Sequence, residues 1–122
     1  MTAPAETGAQ IPLPRPRFPG TGAVLDGTVT HSVALQPIVD LQRGEVVGFE
    51  ALARFGGRQG LPGPWLTRAR DSGDLASLEV MLLATALEAR DRLPADTFLA
   101  INISPQLVGT AKVRAVLRSA GD

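Results

Sequence analysis

Four polar residues are the first candidates for chemistry in this sequence: Gln36, Glu50, Arg54 and Asn102. Each lies in a run of mainly apolar residues. Carboxylate and amide oxygens are ligands that suit Mg²⁺ or Mn²⁺ rather than zinc. A guanidinium can hold a phosphate through a fork of N–H donors. Together these residue types indicate metal-assisted chemistry on a phosphate ester.

The run that carries Glu50 and Arg54 alternates as a β-strand does, with successive side chains on opposite faces. One face is wholly apolar and consists of Val47, Phe49, Ala51, Ala53 and Phe55. The other consists of Val46, Gly48, Glu50, Leu52 and Arg54, so it becomes polar only toward its C-terminal end. A strand facing water would be polar along its length. We therefore interpret the polar end as a site, with a structural Glu–Arg pair as the alternative.

Asn102 is the lone polar residue inside the apolar run FLAINIS, residues 98–104. An amide buried without a partner costs about 1–3 kcal/mol. Two interpretations stay open at this stage. The amide is satisfied by backbone groups, or it serves as an oxygen ligand beside the Glu50 carboxylate.

The surrounding pattern predicts an α/β fold. Strands are predicted at Val33–Leu41, Glu45–Phe55 and Phe98–Ser104, and helices at Trp65–Asp71, from the cap Asp74 to Pro94, and from Pro105 onward. The short turn around Gly44 makes the first two strands antiparallel neighbours. Pro37 belongs on a sheet edge or beside a bulge, because it cannot donate to a central ladder. The third strand is apolar on both faces, which is typical of a buried parallel strand.

Composition narrows the class of protein. The 122 residues carry twelve basic and twelve acidic side chains, so the balance favours neither a nucleic-acid polymer nor an anionic membrane as partner. Cysteine is absent, which excludes a disulfide framework and a thiolate metal site. No apolar stretch approaches the roughly 20 residues of a membrane span, and residues 1–18 lack the apolar core that a secretory signal needs. A cytoplasmic location is expected.

Residues 1–30, rich in Pro, Gly and Ala, are predicted to form a flexible tail or linker.

Three motifs resemble the opening motifs of the EAL-domain family: QPIVD at 36–40, GFEALARF at 48–55 and NISP at 102–105. The resemblance implies a (β/α)₈ barrel of the TIM type whose first strand is antiparallel to the others. Members of the family hydrolyse cyclic di-GMP with two divalent metals at the C-terminal mouth of the barrel. By resemblance, Glu50 and Asn102 are metal ligands, with Mg²⁺ or Mn²⁺ as cofactor. Gln36, Leu52 and Arg54 are expected to contact the dinucleotide.

The sequence departs from the family after its third motif. A full barrel takes roughly 250 residues, whereas 90 of the 122 residues, 33–122, follow the tail. The family's later ligands, a further Glu, paired Asp residues, a Lys, another Glu and a Gln, have no counterpart. No Lys follows Lys112, and the only acid after Asp96 is Asp122. Residues 31–122 are thus predicted to be a truncated domain without a complete catalytic site, and marginally folded alone.

Three hypotheses remain open. The chain is part of a cyclic di-GMP phosphodiesterase, completed by further sequence or by a second chain and preceded by an upstream sensory domain. Alternatively, it is a non-catalytic module that binds cyclic di-GMP or docks onto a protein. The third hypothesis is a gene fragment without a selected function.

Overall fold

A computed structural model describes residues 21–56 and 61–121 of the chain. The elements in chain order are α1 (Thr21–Leu25), β1 (His31–Asp40), β2 (Glu45–Phe55), α2 (Pro62–Ser72), α3 (Leu75–Glu88), a 3₁₀ turn (Ala89–Arg92), β3 (Phe98–Ile101), α4 (Pro105–Val108) and α5 (Ala111–Ser119). This arrangement confirms the predicted α/β class. No helix among the described residues is long and apolar enough to cross a membrane.

The three strands form one sheet in the order β1-β2-β3. β1 pairs with β2 antiparallel, and β3 pairs with β2 parallel. Pro37 lies on the outer strand β1, next to a register irregularity between Ile38 and Val39. The proline was predicted at an edge or beside a bulge, and both conditions are met, because an edge strand tolerates the missing N–H.

The helices cover the apolar face of β2, as its alternation predicted. Phe55 from that face is buried with Trp65 and Leu78, and the ring centroids of Phe55 and Trp65 are 5.3 Å apart. A second cluster is formed by Leu83, Leu107 and Val113, against which Ile101 and Ile103 pack. The opposite face of the sheet, which carries Glu50, is therefore the face left for a site.

Several predicted boundaries were wrong. β3 ends at Ile101 rather than Ser104, so Asn102 follows the strand instead of lying within it. The last predicted helix is divided into α4 and α5 around Gly109. Asp74 is the N-cap residue of α3, as predicted, but its side chain makes no capping hydrogen bond and instead accepts from the hydroxyl of Ser72 at 2.8 Å.

Part of the stretch predicted as a tail, residues 21–30, packs against the rest of the described structure. Within the stretch 21–30, α1 packs onto α2 and α3, and Val24 is 1% exposed in the core cluster. Its burial against Phe55 is a long-range contact that the composition of the first 30 residues does not reveal. The tail was predicted over residues 1–30, and its first 20 residues lie outside the described part of the chain.

Candidate functional site

Glu50 and Asn102 meet at the C-terminal end of the parallel pair β2–β3. Glu50 lies opposite Ala100 in the register, and Asn102 follows β3 directly. The side-chain nitrogen Nδ2 of Asn102 donates to Oε1 of Glu50 over 2.7 Å, joining residues 52 positions apart in sequence. The two residues that the sequence singled out as oxygen donors are thus in direct contact.

This hydrogen bond orients both groups. Because Nδ2 of Asn102 points to Glu50, the amide oxygen Oδ1 is turned away, and Oε2 of Glu50 also has no hydrogen-bond partner among the described residues. Glu50 is half-buried and Asn102 is exposed, so ions in solvent can reach them. The pair therefore presents two hard oxygen donors side by side, which is the donor chemistry that Mg²⁺ or Mn²⁺ requires.

The fit to a divalent cation is partial. Within residues 21–56 and 61–121, no group of three or more His, Cys, Asp and Glu side chains is placed to hold a metal ion. Mg²⁺ prefers octahedral coordination and usually keeps several waters. Two protein oxygens therefore match part of such a shell, and the described residues supply no complete cage.

Gln36 and Leu52 lie on the same face of the sheet as Glu50. Gln36 is the direct antiparallel partner of Glu50 and is exposed on the edge strand. Leu52 is two positions further along β2 and is partly buried. The predicted alternation thus brings a side-chain amide and an apolar side chain to either side of the carboxylate.

Arg54 is on this face too, but it does not pair with Glu50. Its Nη1 donates to the carbonyl oxygen of Ala53 at 2.8 Å, and no salt bridge joins it to Glu50 in the part of the chain that is described. The alternative of a structural Glu–Arg pair is therefore not what the fold contains. The guanidinium keeps further N–H donors for an anionic ligand.

A cavity of ≈ 390 Å³ opens at the ends of β2 and β3. Leu52 and Asn102 line it, together with Glu79 and Ser104 and apolar residues of β1, α2 and α3. Its volume is in the range of small-molecule sites, about 300–1,000 Å³. Gln36, Glu50 and Arg54 are not among its lining residues, so the cavity adjoins the candidate site without containing all of it.

Sequence reasoning missed one polar contact at this edge. Glu79 on α3 accepts hydrogen bonds from the backbone N–H of Ser104 at 3.1 Å and from its hydroxyl at 2.6 Å. A signal was present in the sequence, because Glu79 is the only charged residue between Leu75 and Leu87. A carboxylate on an otherwise apolar helix that packs against a sheet needs a polar partner.

The family comparison agrees with the resemblance seen in the three sequence motifs. Residues 28–120 match the family described as the EAL domain. No curated protein sequence matches the chain significantly.

Three solved structures have a fold similar to that of this chain. The PaMucR phosphodiesterase in a c-di-GMP complex is 25% identical with a TM-score of 0.66, over 81% of this chain and 42% of that one. The EAL enzyme Bd1971, in a cAMP- and cyclic-di-GMP-bound form, is 25% identical with a TM-score of 0.58, over 74% and 28%. The EAL domain of Xanthomonas citri FimX in complex with c-diGMP is 18% identical with a TM-score of 0.63, over 80% and 39%, and shows the fold alone.

Proposed function

The chain belongs to the EAL-domain family, and from that membership we propose that it forms the first three strands of a cyclic di-GMP phosphodiesterase domain. The observation that carries the proposal is the hydrogen bond between Asn102 and Glu50, which sets two oxygen donors side by side at the C-terminal edge of the sheet. Barrels of this class place their sites at that edge.

In this proposal Glu50 and Asn102 are two ligands of a divalent metal, Mg²⁺ or Mn²⁺, through Oε2 and Oδ1. When bound, such a cation supplies positive charge that stabilises the charge developing during phosphoryl transfer. The protein contributes orientation, because the Asn102–Glu50 hydrogen bond fixes which amide atom faces outward.

Gln36, Leu52 and Arg54 are proposed to bind cyclic di-GMP. Gln36 offers a donor and an acceptor to a base or phosphate, and Leu52 offers an apolar surface. Arg54 is the only one of the three with a charge, and its fork of donors suits a phosphate. Support comes from their shared sheet face with Glu50 and from the similarity of the chain to solved structures of c-di-GMP complexes.

The rest of the barrel is part of the same proposal. The chain spans 42% of the PaMucR structure and 39% of the FimX structure. Further strands, contributed by additional sequence or by a second chain, would bring the remaining ligands. An upstream sensory domain and a cytoplasmic location, both expected from the sequence, belong to this proposal as well.

A second candidate is a non-catalytic module that binds cyclic di-GMP or docks onto another protein. It is favoured by the small number of ligands, since the described residues hold no cluster of three His, Cys, Asp or Glu side chains around a metal position. Such a module would keep the contacts of Gln36, Leu52 and Arg54 without turnover.

The metal site is tested by titrating Mn²⁺ into the ¹⁵N-labelled chain and following line broadening by NMR. Broadening is expected first around Glu50 and Asn102 and is expected to disappear from that region in Glu50→Gln. Glu45→Gln is the matched control, because Glu45 is exposed at the other end of the same strand. Broadening that persists unchanged in Glu50→Gln would contradict the assignment.

Turnover separates the two candidate functions. The protein purified from its own cells is incubated with cyclic di-GMP and Mg²⁺ or Mn²⁺, and the products are separated by chromatography. Appearance of the linear dinucleotide supports the phosphodiesterase. Binding of cyclic di-GMP without product supports the non-catalytic module. If the protein neither binds cyclic di-GMP nor forms the product, both candidate functions are contradicted.

A further inference from the structure

Glu79 holds the segment that carries Asn102. Both carboxylate oxygens are engaged by one residue: Oε2 accepts from the backbone N–H of Ser104 at 3.1 Å, and Oε1 accepts from its hydroxyl at 2.6 Å. Hydrogen bonds to an ionised carboxylate are about twice as strong as those between neutral groups. Two of them on one residue fix both the position and the rotation of the chain at Ser104.

The hydrogen bond from Ser104 to Glu79 takes the place of the helix-capping bond that a serine usually makes at this position. Ser104 is the N-cap of α4, a position where a serine side chain usually accepts from the helix's own N–H groups. Here the side chain makes no capping bond, and its hydroxyl donates to Glu79 instead. The serine therefore ties the segment to α3.

Only Ile103 separates Ser104 from Asn102. Ile103 packs against the cluster of Leu83, Leu107 and Val113, so its side chain is held on the helical side of the sheet. Asn102 itself is exposed, and Glu50 is its one hydrogen-bond partner among the described residues. Because β3 ends at Ile101, no strand pairing fixes the backbone at Asn102. The orientation of Asn102 therefore depends on its hydrogen bond to Glu50 and on the anchored residues Ile103 and Ser104 that follow it.

We propose that Glu79 is a positioning residue for the metal site: by clamping Ser104, it keeps the amide oxygen of Asn102 turned toward the cation. This inference rests on the proposed function for its metal, but the clamp and the orientation of Asn102 are properties of the chain alone. Glu79 does not touch the cation. Partners that orient metal ligands typically account for about 10–100-fold in metal affinity.

Two readouts on the full chain test the proposal. The first needs no metal: the side-chain NH₂ resonances of Asn102 report the hydrogen bond to Glu50. The second is the Mn²⁺ concentration that half-broadens those resonances, corrected for the folded fraction from the fluorescence of Trp65, which is the only tryptophan and is 5% exposed.

The variants are Glu79→Gln, Ser104→Ala and Ser104→Thr, with Glu88→Gln as the matched control. Glu88 is exposed on the same helix and makes no hydrogen bond or ion pair with the segment 102–104. Glu79→Gln is expected to shift the Asn102 resonances and to raise the half-broadening concentration about tenfold, at the lower end of that range. Ser104→Ala should act in the same direction, while Ser104→Thr, which keeps the hydroxyl, and Glu88→Gln should match the wild type.

Each outcome decides one point. Wild-type values in Glu79→Gln overturn the proposal. If Glu79→Gln does not fold, the comparison of Ser104→Ala with Ser104→Thr decides, and equal values in those two overturn it. If Mn²⁺ broadens nothing in the wild type, the proposed metal site fails. The positioning role of Glu79 is then decided by the shift of the Asn102 resonances alone.

Discussion

The ring of Phe98 lies directly over Gly48, its parallel partner across β2 and β3. A Cβ atom placed on Gly48 would come within 2.7 Å of two ring carbons, Cε2 and Cζ, of Phe98. Gly48 is itself buried because of this cover, whereas the Phe98 side chain is 51% exposed. The glycine two positions before Glu50 is therefore explained by close approach of the neighbouring strand.

The effect of Gly48→Ala on the free energy of unfolding is expected to change sign with the residue at position 98. In the wild-type background the new methyl displaces the Phe98 ring, which can swing into solvent, so the loss of stability should be about 1 kcal/mol. In a Phe98→Ala background the clash is gone, and alanine should stabilise the strand by about 0.5–1 kcal/mol over glycine. Urea unfolding of the wild type, the two single variants and the double variant measures this coupling. Additive effects would contradict the packing.

The sequence predicted the parts of the fold that depend on local alternation. The faces of β2 could be assigned because its side chains alternate regularly over Glu45–Phe55, and Pro37 marked an edge because its missing N–H is a local property. Glu50 and Asn102 were singled out as isolated polar residues, and their contact follows from the parallel pairing of β2 with β3.

The parts that were missed depend on contacts distant in sequence. Val24 enters the core through packing on Phe55 and Trp65, which no periodicity within residues 21–30 indicates. The early end of β3 has a similar cause, because the N–H of Ser104 is bonded to Glu79 and not to a strand. A side-chain partner 25 residues away leaves no local pattern in the sequence.

Thr85 links β1 to α3 and sets the tautomer of His31. Its hydroxyl donates to the carbonyl oxygen of Met81 at 3.0 Å, so toward Nε2 of His31, 2.9 Å away, it can only accept. Neutral His31 should therefore carry its proton on Nε2, which long-range ¹⁵N NMR correlations detect. Thr85→Val should destabilise the fold by about 1 kcal/mol, because the imidazole loses its partner. Thr85→Ser keeps the hydroxyl and should preserve the tautomer; a proton on Nδ1 in the wild type would contradict the assignment.

Thr110 caps α5, and its removal should weaken the second core cluster. Its side chain accepts from the N–H of Val113 at 3.5 Å, and its hydroxyl donates to the carbonyl oxygen of Leu107 at 2.7 Å. Because the capping bond is long, Thr110→Ala should cost about 0.5–1 kcal/mol, the lower part of the usual range. Thr110→Ser is the control that keeps both bonds. Thermal unfolding followed by circular dichroism measures both, and equal losses in the two variants would count against the cap.

Asp26 gives a local pH dependence. Its pKa is lowered from 3.8, chiefly by the side chain of Thr28 and then by the backbone N–H of Thr28, which donates to Oδ1 at 2.9 Å. A lowered pKa in the folded state means that the charged form stabilises the turn above the unfolded pKa and that this contribution is lost as pH falls through the folded value. Carboxyl ¹³C NMR should place the Asp26 titration below 3.8. Thr28→Ala should raise it toward 3.8, and an unchanged pKa in that variant would refute the side-chain contribution.

Arg54 is expected to bind cyclic di-GMP through the geometry of its guanidinium as well as through its charge, and variants at this position separate the two contributions. One donor, Nη1, is held by the carbonyl oxygen of Ala53 at 2.8 Å, which fixes the plane of the guanidinium and leaves its other donors for a phosphate. Arg54→Lys keeps the charge but loses the fork, so the affinity should fall about tenfold or more, corresponding to a charge-assisted hydrogen bond of about 1.5–3 kcal/mol. Arg68→Lys on α2, where the side chain is exposed, is the matched control and should leave the affinity unchanged. Calorimetric titration with cyclic di-GMP in the presence of Mg²⁺ measures the wild type, Arg54→Lys, Arg54→Ala and Arg68→Lys. Full affinity in Arg54→Lys would reduce the role of Arg54 to its charge, and full affinity in Arg54→Ala would remove it from the site.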